Sequence, residues 1–116
     1  MSEKKTADGF TIKYNKLNAK EFMFLWKSVW GEPPSLEQTE LAMKNTLFKV
    51  SIFDGEKIVA MARAIGDKGL CYYIKDVVVH PDYQGRGVGR ILIGGTFFEV
   101  VAVTLWLTKD NLFYKN

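Results

Sequence analysis

Cysteine and proline are scarce in this sequence, with one cysteine, Cys71, and three prolines among 116 residues. A single cysteine excludes an internal disulfide framework and suits a reducing compartment, so we expect a cytoplasmic protein. The polar first residues lack the apolar segment of a signal peptide. No apolar run approaches the ~20 residues that a membrane helix needs, so we expect no membrane partner.

An excess of one charge is also missing. Sixteen basic and thirteen acidic residues give a net charge of +3, and the basic residues are scattered among acidic ones. A nucleic-acid-binding domain would cluster them beside aromatic residues, so we expect no nucleic-acid partner. The single histidine, His80, precedes Pro81 and indicates a turn, so no metal site is predicted. The hydrophobic share of 47% is sufficient for the core of a single domain spanning residues 1–116.

Alternating residues, helical spacing and turn signals predict the order β-α-α-β-β-β-α-β. We expect the residues before Gly9 to form a loose tail. The predicted elements are a strand at Phe10–Tyr14, a helix capped by Asn18 with Phe22, Leu25, Trp26 and Val29 on its apolar face, a helix capped by Ser35 and ending near Lys44, strands at Leu47–Phe53, Lys57–Ile65 and Leu70–Val79, a helix at Val88–Phe98 and a strand at Val100–Leu107. The last helix joins two strands that should lie parallel. The fold class is therefore α/β of the α+β type, with a mixed, mostly antiparallel central sheet flanked by helices.

The most informative segment is the loop Gln84-Gly85-Arg86-Gly87-Val88-Gly89, between a predicted strand and a predicted helix. Glycines allow positive φ and a close approach of the backbone to a ligand. Amides at the start of a helix attract an anion, and Arg86 and Arg90 add positive charge. We therefore predict a pyrophosphate-binding loop. The Walker, dinucleotide and kinase strings are absent, and a glycine-rich turn without a ligand stays as the alternative.

The segment from Asp76 to Gly89 resembles the signature of the GCN5-related N-acetyltransferases (GNAT), which is Arg/Gln-x-x-Gly-x-Gly/Ala after an apolar strand. Gln84, Gly87 and Gly89 occupy the signature positions. The resemblance implies an acyl-CoA N-acyltransferase-like fold and transfer of an acetyl group from acetyl-CoA to a primary amine of a small molecule. In that family the loop holds the pyrophosphate of coenzyme A, and the preceding strand pairs with the pantetheine arm. The implied cofactor-binding residues are Val77, Val78, Val79, Gln84, Gly85, Arg86, Gly87, Val88, Gly89 and Arg90.

The catalytic groups are harder to predict. Two positions at which family members often carry a basic carboxylate hold Tyr73 and Lys75. Asp76 is a candidate catalytic residue, but strand alternation places it on the opposite face unless a bulge re-aims it. A structural hydrogen-bond acceptor is the alternative for Asp76, and water is the alternative proton carrier. The C-terminal Leu112–Asn116 resembles the start of the family's Phe-Tyr-x-x-x-Gly-Phe segment, which implies Tyr114 as catalytic acid, with a packing tyrosine as the alternative.

The resemblance also implies that Trp30–Pro34 border the acceptor pocket. The family continues after the equivalent of Asn116 through a closing hairpin, which we expect to be absent here. Without it, Val100–Leu107 would leave an apolar sheet edge, which predicts a homodimer. A catalytically weak or inactive coenzyme A-binding module of the same fold stays open as an alternative function, and Lys75 favours it.

Overall fold

The computed structural model describes residues 3–94. These residues form a five-stranded antiparallel sheet in the order β1-β2-β3-β4-β5. The elements are β1 at Glu3–Lys5, β2 at Thr11–Tyr14, α1 at Ala19–Trp30, α2 at Leu36–Asn45, β3 at Phe48–Asp54, β4 at Lys57–Gly66 and β5 at Tyr72–Val79. A third helix, α3, begins at residue 88 and is described to residue 94. The predicted helix end at Phe98, the strand at Val100–Leu107 and Tyr114 lie outside the described residues.

The start of the chain corrects the expectation of a loose tail. β1 pairs with β2 in antiparallel register, with Glu3 opposite Lys13. The turn between them is closed by the N–H of Gly9, which donates to the carbonyl of Thr6 at 3.1 Å. All three residues of β1 are exposed and polar, so no apolar alternation marks the strand in the sequence. Backbone pairing alone makes this segment a strand.

The two predicted helix caps are confirmed. Oδ1 of Asn18 accepts the N–H of Glu21 at 2.8 Å, and Oε1 of Glu21 accepts the N–H of Asn18 at 3.1 Å. Oγ of Ser35 accepts the N–H of Gln38 at 3.1 Å. Each cap satisfies amides that the first turn of a helix leaves without partners, which is typically worth ~1 kcal/mol. Both helices therefore begin where the sequence predicts.

The sheet separates two apolar cores. One core contains α3 and the sheet face beneath it, with Phe10, Ile12, Val50, Ile52, Val59, Ala60, Ala62, Val88 and Leu92. The other contains α1, α2 and the opposite face, with Leu17, Ala19, Phe22, Leu25, Met43, Phe53, Ile58, Met61 and Val78. Val29 was predicted on the buried face of α1 but is 40% exposed. The last turn of α1 therefore extends beyond the core.

The connection between β4 and β5 is longer than predicted. Oδ1 of Asp67 accepts the N–H groups of Gly69, Leu70 and Cys71 at 2.8–3.1 Å. These three bonds keep the backbone in a turn as far as Cys71, so β5 begins at Tyr72 rather than at Leu70. The β3–β4 hairpin turns at Gly55 and Glu56, one residue later than the predicted Asp54-Gly55, because Asp54 still pairs with Lys57 as the last residue of β3.

Candidate active site

The glycine-rich loop connects β5 to α3. After β5 ends at Val79, Pro81–Tyr83 form a single 3-10 turn. Nδ1 of His80 accepts the N–H of Asp82 at 3.1 Å, which caps this turn, as a turn residue would. Nε2 of Gln84 donates to the carbonyl oxygen of Val79 at 3.1 Å. The first signature residue therefore attaches the loop to the end of the strand.

Two of the loop glycines have backbone conformations that other residues rarely adopt. Gly85 has φ of +77° and Gly87 has φ of +83°. A Cβ built on either residue meets no atom of residues 3–94 within 4 Å, so the described part of the chain leaves the space beside both open. At Gly89 a Cβ would lie 3.7 Å from Cγ2 of Val79, an ordinary contact distance. Neighbouring protein atoms therefore do not exclude a side chain at any of the three positions.

The start of α3 presents amide groups at this open space. The N–H of Ile91 donates to the carbonyl of Gly87 at 3.2 Å, the first hydrogen bond of the helical pattern. Gly87 is therefore the N-cap, and the amides of Val88, Gly89 and Arg90 precede the first intrahelical donor. The helix dipole adds partial positive charge at this end. An anion in the loop would find several N–H donors together.

An aromatic ring holds two cations at the rim of the loop. Cζ of Arg86 lies 4.6 Å and Nζ of Lys57 lies 5.3 Å from the ring centroid of Tyr83. Oη of Tyr83 donates to Oδ2 of Asp54 at 2.6 Å, and this hydrogen bond raises the pKa of Tyr83. Sequence reasoning missed Lys57 and Asp54 because both lie in the β3–β4 hairpin, far from the loop in sequence.

A bulge interrupts β5 just before the predicted cofactor strand. Met61 of β4 pairs with Val78, but Arg63 pairs with Lys75. Asp76 and Val77 therefore occupy the space of one residue opposite β4, and Asp76 has φ of +55°. Such a bulge leaves an unpaired residue and bends the strand.

The bulge turns the side chain of Asp76 to the other face of β5. This is the condition under which the sequence predicts a catalytic role for Asp76. Oδ2 of Asp76 accepts from Nε of Arg63 at 2.6 Å, and only 9% of the aspartate side chain is exposed. The guanidinium also contacts the ring of Phe22 on α1, so the ion pair lies on the face that α1 covers. This geometry favours a structural acceptor at Asp76. A catalytic role for Asp76 stays a prediction.

Tyr73 and Lys75 lie on that same face of β5. They pair with Ile65 and Arg63 of β4, and directly opposite residues share a face. Tyr73 is 62% exposed, so its phenol is open to solvent. The candidate acceptor segment Trp30–Pro34 is attached to α1 by a hydrogen bond. Nε1 of Trp26 donates to the carbonyl of Glu32 at 3.1 Å and fixes the α1–α2 connection. Trp30 itself is 48% exposed.

An amide-lined glycine loop at a helix start, beside a bulged strand, fits the cofactor site of an acyl-CoA-dependent acyltransferase. Residues 15–97 match the acetyltransferase (GNAT) family, and the chain belongs to that family. It is 34% identical over 119 aligned positions to an uncharacterized N-acetyltransferase, ycf52, of Pyropia yezoensis, covering 93% of this chain and 68% of that protein. The identity to the ycf52 protein of Gracilaria tenuistipitata var. liui is 34% over 97 positions, covering 75% of this chain and 53% of the relative.

A solved structure agrees with this assignment. A protein of unknown function and probable acetyltransferase from meticillin-resistant Staphylococcus aureus superimposes with a TM-score of 0.74 at 26% identity, covering 81% of this chain and 71% of that one. The family resemblance, the fold class and the acetyltransferase class implied by the sequence are therefore confirmed. Between residues 3 and 94, no helix is long and apolar enough to cross a membrane.

Proposed function

We propose that this chain binds acetyl-CoA through the glycine loop and β5 and transfers the acetyl group to a primary amine of a small molecule. The observation that carries the proposal is the pair of positive-φ glycines, Gly85 and Gly87, with open space beside them at the start of α3. GNAT membership supplies the reaction class. The loop supplies the N–H groups that the cofactor's pyrophosphate requires.

The two halves of the cofactor would use different parts of the site. The pyrophosphate would accept from the amides of residues 84–90, with Arg86 and Arg90 adding positive charge. The pantetheine arm would lie along Val77–Val79. Val77 is 39% exposed and Val78 only 2%, so the contribution of Val78 would come from its backbone. Val79 packs against the α3 core and would fix the strand beside the loop.

The acceptor amine must lose a proton before it can attack the thioester that acetyl-CoA supplies. Tyr73 and Lys75 stand at the two positions where family members often carry a basic carboxylate, so neither position offers a carboxylate here. We therefore propose that water relays the proton from the amine to solvent, and that Tyr114 gives a proton to the leaving thiolate. The segment from Trp30 to Pro34, in which residues 30–32 are exposed and the two prolines are half-buried, would contact the amine.

Ligand-dependent stabilisation tests cofactor binding. Coenzyme A at 100 times its dissociation constant should stabilise the fold by about 2.7 kcal/mol, and NAD and ATP should do so far less. Gly87→Asp should abolish this stabilisation, because it places a carboxylate where the phosphates would lie. Gly9→Asp is the matched control, since Gly9 also has a positive φ, +90°, and no atom of the described residues within 4 Å of its Cβ position. Equal ligand responses in the two variants would favour a glycine turn without a ligand.

Release of free thiol from acetyl-CoA, measured against a panel of primary amines, tests acetyl transfer. The exposed thiol of Cys71 would itself react with a thiol reagent, so the assay needs a Cys71→Ser background. Coenzyme A binding without thiol release for any amine would support the alternative of an inactive coenzyme A-binding module. The engagement of Asp76 by Arg63, which occupies the one carboxylate proposed on β5, favours that alternative.

We also propose that the protein is a cytoplasmic homodimer. The support is the apolar sequence of Val100–Leu107, which another copy could cover. Sedimentation at micromolar concentration should give twice the mass of the chain. A monomer at that concentration would contradict the dimer without affecting the proposed chemistry.

A further inference from the structure

The bulge in β5 is held by an ion pair that is almost completely buried. Nε of Arg63 on β4 lies 2.6 Å from Oδ2 of Asp76, and only 12% and 9% of these side chains are exposed. Nη1 of the same guanidinium donates to Oγ1 of Thr46, the C-cap of α2, at 3.0 Å. Its Cζ lies 5.8 Å from the ring centroid of Phe22 on α1. One side chain therefore connects β4, β5 and both helices on this face.

Asp76 needs such support because of its backbone conformation. Its φ of +55° lies in the left-handed region, which non-glycine residues enter only at a cost. Aspartate is among the residues that tolerate this region best, and it persists there where surrounding contacts fix it. The short bond from Arg63 is a contact of this kind. The ion pair and the unusual backbone are therefore parts of one feature.

The bulge determines how the rest of β5 is aligned. Beyond it, the side chain of Val78 enters the core beneath α1 and α2, whereas Val79 packs against the core beneath α3. Loss of the bulge would shift the register of β5 by one residue. Because side chains alternate along a strand, that shift would reverse the faces of Val78 and Val79. The backbone at Val77 would be displaced with them.

We propose that Arg63 is a positioning residue for the cofactor. By pairing with Asp76 it maintains the bulge, and the bulge aligns Val77–Val79 for the pantetheine arm. This inference rests on the proposed function. It gives Asp76 the task of fixing the strand, in place of removing a proton from the amine.

Two probes separate the strand from the loop. Coenzyme A contacts both under the proposed function. Adenosine 3′-phosphate 5′-diphosphate, its nucleotide half, contains the pyrophosphate but lacks the pantetheine arm. The affinities of both probes are measured by titration calorimetry on the full chain and on Arg63→Met, Arg63→Met/Asp76→Asn and Lys20→Met. Lys20 is an exposed cation on α1, so its variant controls for the loss of one positive charge. Thermal unfolding is recorded for each protein.

Arg63→Met should weaken coenzyme A binding about tenfold and change the affinity of the nucleotide half by less than about twofold. It should also lower the melting temperature, because it leaves a buried carboxylate without its partner. The double variant removes that carboxylate charge, so its melting temperature should recover while its coenzyme A affinity stays low. A purely structural role would restore both together. Lys20→Met should match the unmodified protein with both probes.

Equal coenzyme A affinity in folded Arg63→Met and in the unmodified protein would overturn the inference, as would equal losses for both probes. If Arg63→Met does not fold, the double variant Arg63→Met/Asp76→Asn provides the test. Full coenzyme A affinity in the double variant would also overturn the inference. If the unmodified protein does not bind coenzyme A at millimolar concentration, the proposed function is the part that fails.

Discussion

The phenol of Tyr83 donates a 2.6 Å hydrogen bond to the carboxylate of Asp54, which joins the candidate cofactor loop to the β3–β4 hairpin. The bond requires a protonated phenol, and accordingly it raises the pKa of Tyr83 above its usual value. A group whose pKa is raised by folding stabilises the folded state below its unfolded pKa. That contribution is lost as the pH rises through the folded pKa.

We therefore expect the substitution Tyr83→Phe to lower the melting temperature at pH 7. As the pH rises above about 10, the variant should lose less stability than the unmodified protein. The ring remains, so contacts with Lys57 and Arg86 should persist. Thermal unfolding of both proteins between pH 7 and pH 11 gives the difference, which should narrow at the alkaline end. A constant difference across this range would show that the hydrogen bond is not formed in solution.

Asp67 predicts the opposite dependence at acid pH. Hydrogen bonds from the N–H groups of Gly69, Leu70 and Cys71 lower the pKa of Asp67 from 3.8 to about 2. A lowered pKa stabilises the folded state above the unfolded value, and this contribution is lost as the pH falls from about 4 through about 2. Asp67→Ala should therefore be less stable than the unmodified protein at pH 7. The two proteins should converge at pH 2.

Urea unfolding at pH 7, 4, 3 and 2 measures this convergence. Asp67→Asn is a useful second variant, because it keeps an oxygen acceptor but cannot titrate. It should lie between the other two proteins at pH 7 and should show a smaller loss of stability on acidification. Parallel curves for Asp67→Ala and the unmodified protein would contradict the assignment.

Tyr72 has a buried hydroxyl that finds no hydrogen-bond partner among residues 3–94. A buried polar group without a partner costs ~1–3 kcal/mol in desolvation, so removing it should not destabilise the protein. We expect Tyr72→Phe to unfold at the same or a higher urea concentration. A loss of more than about 1 kcal/mol would show that the hydroxyl is hydrogen-bonded to a group outside the described residues.

Gly66, at the end of β4, is predicted to be replaceable only at a high cost. A Cβ there would clash with the carbonyl oxygen of Cys71, a backbone atom with little room to move. Gly66→Ala should therefore destabilise the protein by at least ~2 kcal/mol.

Gly94 in α3 is the matched position, since among the described residues its Cβ would meet no atom within 4 Å outside its own helix backbone. Gly94→Ala should be neutral or stabilising by up to ~1 kcal/mol, because alanine favours a helix. Chemical denaturation of both variants measures the two changes in the free energy of unfolding. Similar effects at the two positions would show that the crowding at Gly66 is relieved by a shift of the turn.

The sequence predicts features whose determinants are close together in the chain. The cap of α1 depends on Asn18 and Glu21, three positions apart, and the signature loop is continuous. The sequence does not predict β1, because its polar residues show no apolar alternation. It does not predict the exposure of Val29, because that exposure depends on where the sheet ends beneath α1.

The site details that the sequence could not predict depend on distant pairs. Arg63 and Asp76 are 13 positions apart, and Tyr83 and Asp54 are 29 apart. The sequence allows a bulge that re-aims Asp76. The partner of the Asp76 carboxylate is identified only when strand pairing places Arg63 beside it. Local patterns contain no information about such pairs.

β1 also has a consequence for the solubility of the sheet. Lys4 and Lys5 are neighbours on a short edge strand, so their side chains point to opposite faces of the sheet. Glu3 is opposite Lys13 on β2. Another molecule that paired with this edge would bring its own lysines against these, and like charges directly opposite each other are unfavourable. We therefore expect this edge strand to disfavour edge-to-edge pairing between two molecules. Replacing Lys4 and Lys5 with threonine should remove that protection and lower the concentration at which the protein precipitates.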